Sequence, residues 1–178
     1  MRTLLLIALA AAPAVAIAQP DVSVRAADGR YVVIARFETS APPAVVREVL
    51  TDYDGIPRFM PGVTHSQVRE RDGARVIVEQ EAVSKFMLFS RTVRLRLEVT
   101  EGERELAFRD LSGESFESYQ GSWTIESDGA RTRVFYVLAA QPRFDVPGFV
   151  LKRVLTSNAR ETIDQLCAEA AFRAARVR

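Results

Sequence analysis

The sequence contains one cysteine and one histidine among its 178 residues. A single cysteine forms no intramolecular disulfide and cannot supply a cysteine-rich zinc cluster, and a single histidine excludes a metal site built from several imidazoles. The sequence also lacks a Gly-rich phosphate loop, a dinucleotide fingerprint and a Gly-x-Ser-x-Gly motif. We therefore predict no bound metal, no cofactor and no serine-hydrolase chemistry.

The chain also lacks an excess of charge of one sign. The chain has 24 Lys plus Arg residues against 23 Asp plus Glu residues, for a formal net charge of +1. Because proteins that bind nucleic acid concentrate positive charge, we predict no nucleic-acid partner. Apolar residues make up 48% and charged residues 26% of the chain, a composition typical of a globular protein. The length suits one domain with its own core.

The first eighteen residues have the three parts of a secretory signal. Arg2 supplies the positive start, residues 4–12 form a short apolar run that Pro13 ends, and residues 16–18 have the small-x-small pattern of a cleavage site. The run is shorter than the roughly 20 apolar residues that span a bilayer. We expect cleavage near Ala18 and a periplasmic or secreted bacterial protein, with an uncleaved membrane anchor as the alternative.

Cleavage would leave residues 19–178 as one mature domain without stable membrane insertion. Arg2 would leave with the signal, so 23 basic residues would face 23 acidic ones and the formal charge would be zero. A neutral protein is not attracted as a whole to an anionic membrane surface, which argues against electrostatic membrane docking.

Short alternating segments separated by turn signals predict an antiparallel sheet. Residues 31–38 are rich in β-branched and aromatic side chains, whereas residues 21–27 are either a short strand or an ordered tail. Six further strands are predicted at residues 63–71, 74–83, 87–100, 105–110, 116–127 and 131–139. Their tight spacing indicates a meander and not parallel strand–helix–strand units.

Helical spacing is confined to two regions. Ser40 and Pro42-Pro43 precede apolar residues at helical spacing up to Asp52, and the Pro- and Gly-rich residues 54–62 allow only a helical turn or a loop. From Pro147 to about Ala174 apolar residues recur every three or four positions, which predicts a helix about 40 Å long. We therefore predict an α+β domain. A curved antiparallel sheet of about seven strands wraps around a long C-terminal helix, with one or two short helices after the first strand.

Three segments resemble the helix-grip START-like (SRPBCC) superfamily, which includes polyketide cyclases and dehydrases, coenzyme Q-binding START proteins and plant Bet v 1 allergens. Residues 41–63 resemble its opening, in which a proline-containing turn leads to a helix, an Asp-Tyr pair and a proline-rich loop. Gly121-Ser122-Trp123 resembles its Gly-x-Trp strand, and residues 147–151 resemble the start of its closing helix. The resemblance extends over about residues 31–171. It implies a cavity between sheet and helix that binds a lipid, quinone, polyketide or hormone.

Nine residues are predicted to contact a ligand in that cavity. Tyr119 and Trp123 share one strand face, and each combines a ring with a polar tip. The resemblance places the proline-rich loop and the start of the closing helix near the cavity entrance. The predicted set is Phe59, Met60, Met87, Phe89, Arg91, Tyr119, Trp123, Phe144 and Phe149.

Arg91 is the unusual member of this set. Strict alternation places it with Val93 and Leu95 on an apolar strand face. An unpaired buried guanidinium is costly, so Arg91 either pairs with a carboxylate, meets a polar ligand group or is turned outward by a bulge.

Three features that resemble catalytic groups are better explained structurally. His65 has no orienting partner in the sequence and is interpreted as an exposed or hydrogen-bonded strand residue. Cys167 is expected to be a buried structural thiol, and Glu79 with Glu81 is expected to form a solvated strand face. No catalytic residue is predicted.

The sequence therefore favours an exported carrier of a hydrophobic small molecule, and the question of catalysis stays open. Two alternatives remain: a polyketide cyclase/dehydrase-type enzyme, and a periplasmic protein-interaction module with a collapsed cavity and an exposed apolar patch.

Overall fold

The computed structural model describes residues 19–86 and 89–176, and within the strands it describes side chains up to Val83 and again from Ser90. The predicted signal sequence and Met87 lie outside the described residues. In the described part of the chain, no helix is long and apolar enough to cross a bilayer.

Eight antiparallel strands form one curved sheet in the order β1-β2-β8-β7-β6-β5-β4-β3. The strands are β1 (Asp21–Ala27), β2 (Arg30–Thr39), β3 (Val63–Asp72), β4 (Arg75–Phe86), β5 (Phe89–Glu101), β6 (Glu105–Asp110), β7 (Phe116–Asp128) and β8 (Arg131–Pro142). The predicted helix-grip architecture is confirmed. The extra strand is β1, which pairs with β2 from Asp21–Arg36 to Ala27–Arg30 without a register shift.

The helices follow the predicted order. The short helices α1 (Pro43–Thr51) and α2 (Ile56–Phe59) are separated by a 3₁₀ turn (Tyr53–Gly55), and α3 (Gly148–Arg176) ends the described chain. Pro42 and Pro43 favour the start of α1, because proline lacks the N–H that the first turn leaves unpaired. The short helices follow β2, which is the strand predicted at residues 31–38.

The core lies between the concave face of the sheet and α3. The sheet contributes alternate side chains, since successive residues of a strand point to opposite faces; among them are Val33, Ala35, Phe37, Val76, Val78, Leu97, Val99, Val134 and Leu138. The helix contributes Leu151, Ala159, Ile163, Leu166 and Ala170, which recur at the predicted helical spacing. The helix packs mainly on α1, β1 and β2, with lighter contact to β4 and α2.

The residues that follow α1 connect the short helices to the sheet. The Tyr53 hydroxyl donates a 3.0 Å hydrogen bond to Glu101, and an Asp54 carboxylate oxygen accepts a 2.7 Å bond from the Val68 N–H. That bond coincides with a register shift in β3 between Val68 and Glu70, where a bulge leaves a backbone donor unpaired. The Asp-Tyr-Asp stretch therefore has a structural role.

The end of α3 is held by a charged cluster that we call the Arg173 clasp. The Arg173 guanidinium donates to Asp52 at 2.6 Å, to Glu169 at 2.7 Å and to Glu48 at 3.1 Å. Desolvation lowers the pKa of Arg173, but hydrogen bonding to these carboxylates outweighs it and raises the pKa above its ordinary value. A Cβ at Gly55 would lie 2.3 Å from an Asp52 carboxylate oxygen, so glycine keeps this carboxylate in place.

Candidate ligand-binding site

Six aromatic side chains form a contiguous group on the concave side of the sheet, which we call the aromatic cluster. Its members are Phe108, Phe116, Tyr119, Trp123, Tyr136 and Phe144. The Trp123 and Tyr136 rings stack with centroids 4.0 Å apart, because the two residues are direct cross-strand partners of β7 and β8. Tyr119 contacts the rings of Phe116 at 4.9 Å and Phe108 at 5.9 Å.

Part of this aromatic surface is accessible although it faces the concave side. Tyr136 and Phe116 are buried at 8% and 7% exposure, whereas Phe108, Tyr119 and Trp123 are only half-buried. The close contacts of α3 are with α1, β1 and β2, so its main packing is displaced from β6 and β7. The cluster therefore presents aromatic faces that the core does not fill.

Two tyrosine hydroxyls add a polar feature to the cluster. Burial raises the pKa of Tyr119 to about 12 and that of Tyr136 well above its ordinary value. A side-chain hydrogen bond joins the two hydroxyls. Both hydroxyls are protonated at neutral pH. One of the two protons is used in the bond between the hydroxyls, so the pair can donate one further hydrogen bond to a ligand oxygen. Neither protonated hydroxyl can act as a base there.

Beside the cluster, part of β5 has no strand partner on the β6 side because β6 is short. It has 6 residues, whereas its neighbours β5 and β7 have 13 each. Beyond β6, the Asp110 carboxylate accepts a hydrogen bond from the Arg96 N–H at 2.9 Å, and the Ser115 hydroxyl accepts one from the Arg94 N–H at 3.0 Å. Loop side chains thus replace a strand partner between β5 and the start of β7, where Phe116 lies.

Arg91 and Phe144 join this region to the start of α3. The Arg91 guanidinium lies 4.3 Å from the centroid of the Phe144 ring, and Phe144 contacts Phe116 edge-on at 6.1 Å. The β4–β5 ladder has no register shift, so Arg91 keeps its predicted alternation while its guanidinium is exposed. Its partner is an aromatic ring, which was not among the three predicted alternatives. An exposed cation over a ring avoids the cost of a buried charge.

The structure separates the two segments that the resemblance placed at one entrance. Phe59 is buried beneath the Arg173 guanidinium, 5.7 Å from its ring centroid, and Met60 is partly buried beside the core. Phe149 is 79% exposed in the first turn of α3. The 24 positions between Phe149 and Arg173 correspond to about 36 Å of helix. The proline-rich loop therefore lies at the C-terminal end of α3, away from Phe149. Contact of Phe59 and Met60 with a ligand stays a prediction.

The remaining predicted residues have mixed outcomes. Tyr119, Trp123 and Phe144 come together in the cluster, with Arg91 at its edge, whereas Met87 and the Phe89 side chain lie outside the description. The prediction omitted Phe108, Phe116 and Tyr136. The alternation of Tyr136 with Val134 and Leu138 indicates an inward position, but only the register of β8 against β7 shows that it meets Trp123.

The features that resembled catalytic groups lie elsewhere. His65 is exposed opposite Glu81 on the outer face of the sheet, where Glu79 and Glu81 pair with Arg69 at 2.7 Å and Arg94 at 3.0 Å. Cys167 is half-buried on α3, and burial raises its thiol pKa to about 11. Among the described residues, no group of three or more His, Cys, Asp and Glu side chains could hold a metal ion.

Two open depressions, of about 750 and 490 Å³, are formed largely by outer-face residues. Arg25, Arg30 and Glu117 line the first, and His65, Arg69 and Glu79 are among those that line the second. Charged and polar residues outnumber apolar ones in both linings and both depressions are open to solvent, so neither resembles an enclosed apolar ligand pocket.

Comparison with known proteins identifies a family and a fold. The family described as polyketide cyclase/dehydrase and lipid transport matches residues 39–167. A search of curated proteins gave no significant sequence match.

Solved structures share the fold at low sequence identity. A STAR-related lipid transfer protein from Xanthomonas axonopodis has 15% identity and a TM-score of 0.72, covering 89% of this chain and 97% of its own. The Zhui aromatase/cyclase from Streptomyces sp. R1128 has 19% identity and a TM-score of 0.68, covering 81% and 95%. A protein from Thermus thermophilus, TTHA0849, has 23% identity and a TM-score of 0.68, covering 79% and 97%.

Proposed function

The chain belongs to the polyketide cyclase/dehydrase and lipid transport family, and we propose that it is an exported protein that binds and carries a hydrophobic small molecule. Hydrophobic ligand binding and polyketide cyclase-type activity are the two roles that this family and fold suggest. The observation that carries our proposal is the accessible surface of Phe108, Tyr119 and Trp123 on the concave side of the sheet. The ligand classes that fit are lipids, quinones and polyketide-like aromatic compounds.

The proposed mechanism is burial of apolar ligand surface. Removal of apolar surface from water contributes about 25 cal/mol per Å², so 200 Å² of ligand surface corresponds to about 5 kcal/mol before the costs of binding. The rings supply flat contact area, and the Tyr119 hydroxyl supplies a donor for a carbonyl or hydroxyl oxygen. The neighbouring Asp110 carboxylate is already engaged by the Arg96 N–H and by Ser112, so it is not an open anionic group for a cationic ligand.

The only tryptophan of the chain makes this proposal directly testable. Trp123 is part of the cluster, so its fluorescence should shift or be quenched when a ligand binds. We expect native mass spectrometry of freshly purified protein to show a co-purified species, and a fatty acid, a ubiquinone analogue or an anthraquinone to raise the melting temperature. Trp123→Phe should abolish the fluorescence response and keep the thermal shift. Absence of a bound species together with no response to any compound would refute the proposal.

Export is tested separately from ligand binding. A bacterium expressing residues 1–178 should release the protein with its periplasmic fraction, and its mass should correspond to a chain that begins at Gln19. A full-length protein in the cytoplasmic fraction would contradict export. A full-length protein in the membrane fraction would support the uncleaved anchor instead.

The tyrosine pair favours one second candidate, a cyclase or dehydrase. Protonated Tyr119 could polarise a substrate carbonyl within an apolar surrounding, which is a recognised way to promote enolisation. Tyr119→Phe should then abolish turnover of a polyketide-like substrate and leave its affinity within a few-fold. We rank this candidate second because the cluster supplies proton donors without a base, and the sole histidine lies on the outer face.

A further inference from the structure

The start of α3 exposes a large aromatic side chain. Phe149 is 79% exposed, the highest value among the large apolar side chains that the structure describes. It cannot join the core, because Leu151 two positions later turns toward the sheet and is buried. A single exposed apolar residue is ordinary on a protein surface, so the side chains around Phe149 decide what this surface can contact.

Basic residues follow Phe149 along α3 and also occur in the segments that adjoin the start of this helix. Lys152 and Arg153 follow Phe149 by three and four positions, so all three share one outward face of the first two helical turns. Arg143 and Arg91 are exposed in the adjoining loop and strand. We call these five residues the helix-start surface.

The cations of the helix-start surface keep their charge available. In the described part of the chain, Arg91, Arg143, Lys152 and Arg153 form no ion pair. By contrast, Arg69, Arg75, Arg94, Arg96 and Arg109 on the outer face of the sheet all pair with glutamates. In the described part of the chain, the helix-start surface thus carries four cations without an ion pair, against one exposed carboxylate, Asp145, in the adjoining residues 143–147. This surface is therefore locally positive although the net charge of the chain is near zero.

We propose that the helix-start surface docks reversibly on an anionic lipid bilayer. A phenylalanine ring is suited to the boundary between headgroups and acyl chains, and each Lys or Arg near an anionic surface contributes about 1 kcal/mol. A protein partner would instead need a wide, shape-complementary surface with an apolar centre, which one isolated ring does not supply. The near-zero net charge argued against electrostatic membrane docking. Our proposal departs from that expectation for the helix-start surface.

The helix-start surface adjoins the aromatic cluster, so docking would bring the proposed ligand site close to the bilayer. Arg91 and Phe144 connect the helix-start surface to the aromatic cluster through ring contacts at 4.3 and 6.1 Å. A protein docked in this orientation presents the nearest edge of the cluster to the bilayer. The inference goes beyond the proposed function, because docking is measured without a ligand and ligand binding is measured without a membrane.

Vesicle flotation tests the proposal with the protein in the form that cells produce. We expect binding to phosphatidylcholine–phosphatidylglycerol vesicles at a 3:1 ratio, and binding at least tenfold weaker to pure phosphatidylcholine vesicles or in 500 mM salt. Phe149→Ser and Arg153→Glu should each weaken binding by about fivefold or more. Phe172→Ser, 56% exposed near the other end of α3, and Arg104→Glu, with the same charge change in the exposed β5–β6 turn, are the matched controls.

The outcomes are distinguishable. No binding of the unaltered protein to anionic vesicles overturns the proposal, and an acidic protein partner then becomes the better occupant. Binding that is unchanged by Phe149→Ser and Arg153→Glu, or weakened equally by the controls, overturns it as well. The Trp123 fluorescence response to free ligand should persist in Arg153→Glu, so a failure of docking does not imply a failure of ligand binding.

Discussion

The two ends of α3 are held in different ways. At its C-terminal end, Arg173 is hydrogen-bonded to Glu48, Asp52 and Glu169, and its guanidinium covers Phe59. At its N-terminal end, the adjoining loop is held by the contacts of Phe144 with Arg91 and with the Phe116 ring, and by a 3.1 Å hydrogen bond from the Arg143 N–H to the Ser115 carbonyl oxygen.

Because of this difference, one end of α3 can stabilise the fold while the other end lies where a ligand can enter. Several charge-assisted hydrogen bonds fix the far end, where each contributes more than a neutral bond. At the N-terminal end, the loop before α3 is held beside the aromatic cluster by ring contacts and one backbone hydrogen bond, without an ion pair in the described part of the chain. A movement that admits a ligand is therefore expected near Phe144, while the clasp keeps α3 attached to α1.

A rise to alkaline pH should have the largest effect on the unfolding free energy. It should also show which of the two regions, the C-terminal end of α3 or the aromatic cluster, unfolds first. Tyr53 belongs to the fixed end, and Tyr119 and Tyr136 belong to the cluster; burial is the main cause that raises the pKa of all three, that of Tyr119 to about 12. Because the folded state binds these protons more tightly, their stabilisation is complete below pH 10 and is lost as the pH rises through the raised values. Each tyrosine then costs up to about 1.4 kcal/mol per pH unit.

Absorbance at 295 nm and circular dichroism measure this effect together. We expect three of the four tyrosines to ionise above pH 10, in step with unfolding. Tyr53→Phe and Tyr119→Phe each remove one tyrosine that ionises above pH 10. The two variants allow the C-terminal end of α3 to be compared with the aromatic cluster. Ionisation of all four tyrosines near pH 10 without unfolding would contradict the buried cluster.

Removal of the clasp should have the next largest effect. Arg173→Met removes the cation shared by three close carboxylates, of which Asp52 keeps Arg58 as a partner at 3.1 Å, and we expect a loss of about 2 kcal/mol of unfolding free energy. Urea denaturation measures the loss. Arg176→Met is the matched control, since Arg176 is exposed and, within the described residues, its recorded contact is the Phe172 ring at 5.3 Å. Equal stability of the two variants would show that the ends of α3 are held alike.

The strands and α3 were predictable from the sequence because their periodicity is local. Alternation identified β6 at its observed bounds, and helical spacing identified α3 from Pro147 to about Ala174 against an observed Gly148–Arg176. β1 was ambiguous because Val24 is its only buried residue, so its apolar pattern is weak. Its assignment depends on pairing with β2, a contact that composition does not reveal.

The site was only partly predictable because it depends on register and on distant contacts. Alternation identified Tyr119 and Trp123, but the stacking of Trp123 on Tyr136 follows from the β7–β8 register. The partner of Arg91 is 53 positions away in the chain. The resemblance did not show that Phe59 lies at the C-terminal end of α3, because a resemblance conveys the order of elements and not which end of α3 each loop meets.

The smallest effect on stability is expected beside the N-terminal end of α3. Arg91→Met removes an exposed cation from the Phe144 ring, so we expect the unfolding free energy to change by no more than about 0.5 kcal/mol. The same substitution removes the contact that joins β5 to the loop before α3, so stopped-flow Trp123 fluorescence should show ligand association and dissociation both accelerated several-fold. Arg94→Met, which removes an outer-face ion pair with Glu81, should leave both rates unchanged. If Arg91→Met alters stability as much as Arg173→Met, or leaves ligand exchange unchanged, the contact is a second anchor and ligand access must lie elsewhere.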